Sequence, residues 1–224
     1  MALDITFLGH AGFLLSGNGN SLVIDPFLSG NSLAKHRPGD LNCDYIALTH
    51  GHADHIGDTV AIAQQNDATV IGAFEICNYL GEKGLKKLEP GNAGGCIRTE
   101  FGWVAFTQAF HSSSYEGRYM GMPNGLVIEF NGLVFYHCGD TGLFGDMQLI
   151  GEIYKPDIAA IPIGDRFTMD ATLGAKAAEL IKPRVAIPVH YKTFPILAQD
   201  ANGFTPHGVE VRELEPGETW SYGT

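Results

Sequence analysis

Three histidines and an aspartate fall within six residues in the segment Thr49-His50-Gly51-His52-Ala53-Asp54-His55. Imidazole nitrogens and carboxylate oxygens are the donors that borderline divalent cations take, so this HxHxDH run predicts a preorganised site for zinc, manganese or iron. The bland alternative is a polar loop with incidental histidines. Ligands this close along the chain cannot all reach one ion without strain. His50 and His52 turned one way, with Asp54 and His55 turned the other, is the natural division, and it favours two ions over one.

Two ions need more than four ligands, and three further residues stand where apolar strands end. His111 follows Val104–Phe110, Asp140 follows Leu133–Cys138 in the phrase Gly139-Asp140-Thr141, and His190 follows Ala186–Val189. A lone histidine at a strand end is usually just a polar terminus. Beside HxHxDH, three such endings make a ligand set fixed by sheet ends, which is how a rigid site is built.

The elements that must hold these residues follow from hydrophobic patterning. Ile5–Leu8, Phe13–Leu15 and Leu22–Ile24 are short apolar runs, and Gly17-Asn18-Gly19-Asn20 between the last two is a hairpin signal. A loop rich in Gly and Pro spans 26–42, and a buried strand over 45–48 leads into the histidine run. Helices are expected over 58–65 and 74–80, with a strand at 69–71 between them. Strand patterns return over 97–111 and 126–137, with Asn131-Gly132 as the sharpest type I′ signal. Helices at 147–153 and 171–181 then alternate with strands at 158–161 and 185–189. Each half is thus a strand meander followed by strand–helix alternation. Two such halves stacked sheet on sheet with helices outside predict one α/β domain over residues 1–224.

Composition narrows the function classes. A formal net charge of −11 disfavours a nucleic-acid partner and tolerates bound cations. Cys43, Cys77, Cys96 and Cys138 form no CxxC pair and are expected as reduced thiols. No apolar stretch is long enough to span a membrane, and the N-terminus runs straight into strand-like sequence, so a cytoplasmic protein without membrane insertion is expected.

The order HxHxDH, a later His, Gly-Asp-Thr and a terminal His resembles the metallo-β-lactamase-fold hydrolases. Phe7-Leu8-Gly9-His10-Ala11-Gly12, Val23-Ile24-Asp25-Pro26 and Ile163–Asp170 narrow the resemblance to the UPF0173 metal-dependent hydrolases, relatives of the ascorbate-6-phosphate lactonase branch. That resemblance implies a four-layer αββα sandwich. It implies that His50, His52 and His111 hold one metal, that Asp54, His55 and His190 hold the other, and that Asp140 bridges them.

Two divalent ions, with zinc first and manganese, iron or nickel as alternatives, would acidify a bridging water to hydroxide. The nucleophile would then need no serine or cysteine. Asp54 would orient it and accept a proton. His10 is either a turn histidine satisfied by backbone or, as the resemblance favours, a catalytic group facing the metals. Asp165 and Arg166 are candidate substrate contacts, Arg166 as a bidentate anion anchor, with an ordinary surface pair as the alternative. Asp25 is expected to orient the histidine loop, Cys138 to be a packed thiol, and His36, His137 and His207 to be structural or surface residues. The 26–42 and 112–123 loops would shape the substrate, with 119–123 as an apolar wall. The expected function is hydrolysis of an ester, lactone or phosphodiester bond of a small molecule by a homo-oligomeric enzyme. A non-catalytic metal or ligand sensor on the same fold is the alternative.

Overall fold

A computed structural model describes residues 2–223. Apart from one two-stranded ribbon, its strands fall into two seven-stranded sheets because each half of the chain repeats one pattern. In the first half, β1 (Leu3–Gly9), β2 (Gly12–Gly17) and β3 (Asn20–Ile24) form an antiparallel meander. β4 (Tyr45–Ala47), β5 (Thr69–Ala73) and β6 (Leu88–Gly91) then add in parallel. The crossovers carry a single turn α1 (Ala53–Ile56), then α2 (Thr59–Asn66) and α3 (Phe74–Glu82).

In the second half, β7 (Cys96–Arg98) and β8 (Gly102–Gln108) lead to a small ribbon of β9 (Ser114–Tyr115) and β10 (Arg118–Tyr119). β11 (Asn124–Phe130) and β12 (Leu133–His137) complete that meander. β13 (Ile158–Pro162), β14 (Val185–Val189) and β15 (Glu210–Val211) run parallel to β12, with crossovers through α4 (Met147–Tyr154) and α5 (Ala171–Ile181). The last strand, β16 (Thr219–Tyr222), returns to pair with β1 in the other sheet. The sheet orders are β16-β1-β2-β3-β4-β5-β6 and β15-β14-β13-β12-β11-β8-β7.

Alternation along the strands sorts the core into layers, since successive side chains face opposite sides of a sheet. Ile5, Phe13, Leu15, Leu22 and Ile24 meet Leu126, Ile128, Phe130, Phe135 and Ile187 between the sheets. From the same sheet, Val23, Ile46 and Val70 face outward onto Ile62, Ile76 and Leu80 of α2 and α3. In the second sheet Val127, Tyr136, Ala159 and Ala186 pack outward on Met147, Ile150, Ala178 and Ile181 of α4 and α5. Helix, sheet, sheet, helix is the four-layer αββα order.

Both expected hairpin turns have the two left-handed residues that a type I′ turn requires: Asn18 and Gly19 (φ 50° and 82°), and Asn131 and Gly132 (φ 52° and 88°). Each pair sits between directly opposed strand ends, Gly17 facing Asn20 and Phe130 facing Leu133. All four cysteines are free thiols. Cys138 is packed among the helix-side residues of the second sheet, where burial pushes its thiol pKa well up. Among the described residues, no helix is long and apolar enough to cross a membrane.

β1, β3 and β4 point the same way in one sheet, and β8, β12 and β14 do so in the other. Their C-terminal ends therefore open onto common edges. His10, Asp25 and Thr49-His50 lie just past the ends of the first set, and His111, Asp140 and His190 just past those of the second.

Candidate metal centre

Asp25 organises the histidine run. Fully buried, it takes the Thr49 amide on Oδ1 (2.9 Å), and on Oδ2 the Thr49 hydroxyl (2.6 Å) and His55 Nδ1 (2.7 Å). A hydroxyl has one proton, so Thr49 Oγ1, donating to Asp25, accepts from His50 Nδ1 at 3.0 Å. Both His50 and His55 are thereby held with Nδ1 protonated and Nε2 turned away from Asp25, the arrangement by which a carboxylate fixes a metal-binding imidazole.

The donor atoms converge. His50, His52 and His111 form one set, His10, Asp54, His55 and His190 a second, and His50, His55 and Asp140 a third, each with ligand atoms all within 4.8 Å of one another. His50 Nε2 lies 2.9 Å from His52 Nδ1, while His52 Nε2 meets Ser112 Oγ at 3.3 Å. Asp140 Oδ2 stands between the groups, 2.9 Å from His190 Nε2, 3.4 Å from His55 Nε2 and 3.6 Å from His111 Nε2. Among the described residues, His55 Nε2 and Asp140 Oδ1 are buried without a hydrogen-bond partner. Buried polar atoms normally have one, and a cation among these donors would supply it. The residues present fit a divalent metal centre.

Electrostatics point the same way. Burial pushes the pKa values of His50, His52 and His111 down, so they are neutral and ready to ligate. Burial also lowers His55, but Asp140 and Asp25 outweigh it and hold its pKa well above the ordinary histidine value. Asp140 is kept ionised by His190 and His55 against the opposing effect of burial. Burial likewise opposes ionisation of Asp54, and the hydrogen bond from His10 with the nearby His55 more than reverses it.

His10 itself is 1% exposed and brought down to about 4, chiefly by burial and then by His190. Its Nε2 lies 3.1 Å from Asp54 Oδ2 and its Nδ1 2.9 Å from Thr193 Oγ1. Three of these residues carry left-handed backbone without being glycine: His10 at φ 57°, Asp25 at 43° and His190 at 60°. Such strain persists where the surroundings over-determine it, and it clusters at functional sites.

A cavity of about 310 Å³ opens onto the donors, walled by His52, Asp54, His111, Ser112, Asp140, Phe167 and His190. The structure thus brings together all seven residues expected as ligands and sets His10 behind Asp54, off the wall. Asp165 and Arg166 are exposed and are not wall residues; the neighbouring Phe167 is. The expected apolar wall at 119–123 does not form one. Met120 is buried in the α2–α3 layer against Gly51, while Tyr119 and Met122 point outward. Thr49 and Thr193, which set the orientation of His50 and His10, carry no motif that marks them in the sequence.

A model of the β-lactamase superfamily domain matches residues 4–190. A UPF0173 metal-dependent hydrolase of Carboxydothermus hydrogenoformans is 49% identical, over 96% of this chain and 98% of its own length. One from Thermus thermophilus is 44% identical, over 96% and 97%. Among solved structures, the metallo-hydrolase Igni18 of Ignicoccus hospitalis superposes with a TM-score of 0.91 at 36% identity, each chain covered completely. An isothiocyanate hydrolase from Delia radicum gut bacteria shares the fold at 18% identity, with a TM-score of 0.75. With its seven donors gathered at the sheet edges, the chain belongs to the UPF0173 metal-dependent hydrolases of the metallo-β-lactamase superfamily.

Proposed function

We propose that the protein is a binuclear hydrolase of small, uncharged carboxyl esters or lactones that carry an apolar substituent. The observation that carries this reading is the cavity wall, which among the described residues adds Phe167 to the donors and includes no lysine or arginine. A phosphodiester or phosphorylated lactone brings a permanent negative charge, which sites usually meet with Arg or Lys. An ester with an apolar group asks only for the donors and an aromatic surface. The same absence of a cation argues against Arg166 as an anion anchor.

In this reading His50, His52 and His111 would hold one ion and Asp54, His55 and His190 the other, with Asp140 available to both. Ions there would supply an acidified water and polarise the ester carbonyl. Asp54, ionised and fixed by His10, orients the attacking water through its free carboxylate lone pairs. Its low pKa makes it a better director than proton store. His10, neutral and buried, acts by holding Asp54. Ser112 holds the His52 ring from the cavity side. Hydrolysis adds hydroxyl to the acyl carbon and a proton to the departing oxygen, and Phe167 seats the apolar part. A cytoplasmic, homo-oligomeric enzyme acting on a small molecule, with zinc first among the candidate metals, completes the proposal.

Elemental analysis of protein purified in metal-supplemented buffer should give about two ions per chain, falling in Asp140→Ala. The loaded wild type should turn over neutral esters or lactones but not phosphodiesters, and Asp140→Ala should lose at least about a hundredfold of that activity. Loaded protein inert toward every ester, lactone and phosphodiester would favour a sensor. Phe167→Ala should raise KM for substrates with an apolar substituent by roughly tenfold, with metal content unchanged; an equal loss for small polar esters would contradict the assigned seat.

Metal uptake should also release a proton. The raised pKa of His55 keeps its imidazole protonated at neutral pH in the metal-free protein, and a ligand must give that proton up. Affinity should therefore rise with pH through the neutral range. Asp25→Asn removes one of the two carboxylates that raise His55, so it should lower the number of protons released. Titration calorimetry in buffers of different ionisation enthalpy checks both, and an uptake independent of buffer would contradict this protonation state.

A further inference from the structure

His137 ends β12, fully buried with its ring edge-on to Phe13 at 5.8 Å. Its two nitrogens are both used. Nε2 lies 2.7 Å from the Ala11 carbonyl oxygen, which can only accept, so Nε2 carries the proton. Nδ1 lies 3.0 Å from the Gly139 amide, which can only donate, so Nδ1 is bare. These two bonds define a neutral imidazole of one tautomer, in accord with a pKa lowered chiefly by burial.

The bonded groups are not arbitrary. Ala11 follows His10 in the turn between β1 and β2, and Gly139 precedes Asp140. One imidazole therefore joins the first sheet, which supplies His10 and the histidine run, to the loop of the second sheet that supplies Asp140. Backbone bonds reinforce the seam nearby: the His190 amide donates to the His10 carbonyl at 2.7 Å, and the Asn124 amide to the Thr49 carbonyl at 3.0 Å. Gly139 adopts φ 64°, and a Cβ there would lie 2.5 Å from the Asn124 carbonyl oxygen and 3.2 Å from Thr49 Cβ. The loop is pressed against the seam and has little room to move.

We infer that His137 is a positioning residue for the metal centre: by bridging the Ala11 carbonyl and the Gly139 amide it sets the spacing between the donors of the two sheets. The inference rests on the binuclear reading for its effect on metal affinity. A leucine of similar bulk would fill the space but leave a buried carbonyl and a buried amide unpaired. Groups that orient metal ligands without touching the ion commonly change metal affinity tenfold to a hundredfold when lost. Because Asp140 would serve both ions in that reading, the loss should show in the more weakly held of the two.

The test uses three full-length variants. His137→Leu removes both bonds, His137→Gln keeps a donor toward Ala11, and His137→Asn keeps an acceptor toward Gly139. Metal titration followed by competing chelator should show the second ion bound about tenfold to a hundredfold more weakly in His137→Leu. The cobalt(II)-loaded form should have altered visible bands, with affinity partly restored in Gln or Asn. In metal-free protein, the amide hydrogens of Gly139 and His190 should exchange faster in His137→Leu than in wild type.

Unchanged amide exchange would overturn the inference whatever the metals do. Wild-type affinity and cobalt spectrum in His137→Leu would also overturn it, leaving His137 a filler of the core. If His137→Leu does not fold, the Gln and Asn variants carry the same comparisons against wild type. Should wild type itself bind fewer than two ions while exchange still responds, the binuclear reading fails and the bridge between sheets stands.

Discussion

The ring of His55 lies fully buried between two carboxylates, with Asp25 2.7 Å from Nδ1 and Asp140 3.4 Å from Nε2. Burying charge is costly unless it is paired, and carboxylates this deep need compensating positive charge. A protonated His55 supplies part of it in the metal-free chain. Cations among the same donors would supply more, and they would also satisfy His55 Nε2 and Asp140 Oδ1. The requirement to neutralise this cluster explains why Asp25, Thr49, His50 and His55 are locked into one hydrogen-bond network. Within that network His50 and His55 are aimed by hydrogen bonds from the protein itself.

That aim is maintained by backbone held in an unfavourable region. The left-handed conformations of His10, Asp25 and His190 cost on the order of 1–3 kcal/mol each where unsupported. Support comes from the Asp25 amide on the Ala47 carbonyl, the His190 amide on the His10 carbonyl, and the packing of Phe27 and Phe194 against the His10 ring. The sandwich explains where this support comes from. Its two sheets present parallel strand ends side by side, so loops from both can brace one another across the seam. The exposed aromatic Phe167 shares the cavity wall with the donors.

Much of this was legible in the sequence because strong local patterns agree with the tertiary result. The HxHxDH run, the strand-end positions of His111, Asp140 and His190, and the Asn131-Gly132 turn each have a local cause that survives folding. The four-residue helix over Ala53–Ile56 was not expected, since a single turn makes no periodic pattern. The same holds for β6 and β16, whose pairing is set by strands distant in the chain. Within the site, the histidine donors are legible by type, whereas the orientation of His50 depends on Thr49, and that of His10 on Thr193, almost two hundred positions away. Side-chain direction in the loops was least accessible. Nothing in Asp165-Arg166-Phe167 announces that the phenyl ring, and not the charged pair, forms the cavity wall.

The central claim is that Asp140 bridges two ions held by the two histidine sets. Its most direct measurement is anomalous scattering from crystals grown with manganese or zinc, with data collected on both sides of the metal absorption edge. The account predicts two anomalous peaks about 3.5–4 Å apart. One should lie against His50, His52 and His111, the other against Asp54, His55 and His190, with the Asp140 carboxylate shared between them. A single fully occupied peak with Asp140 on one ion only, in crystals saturated with metal, would contradict it.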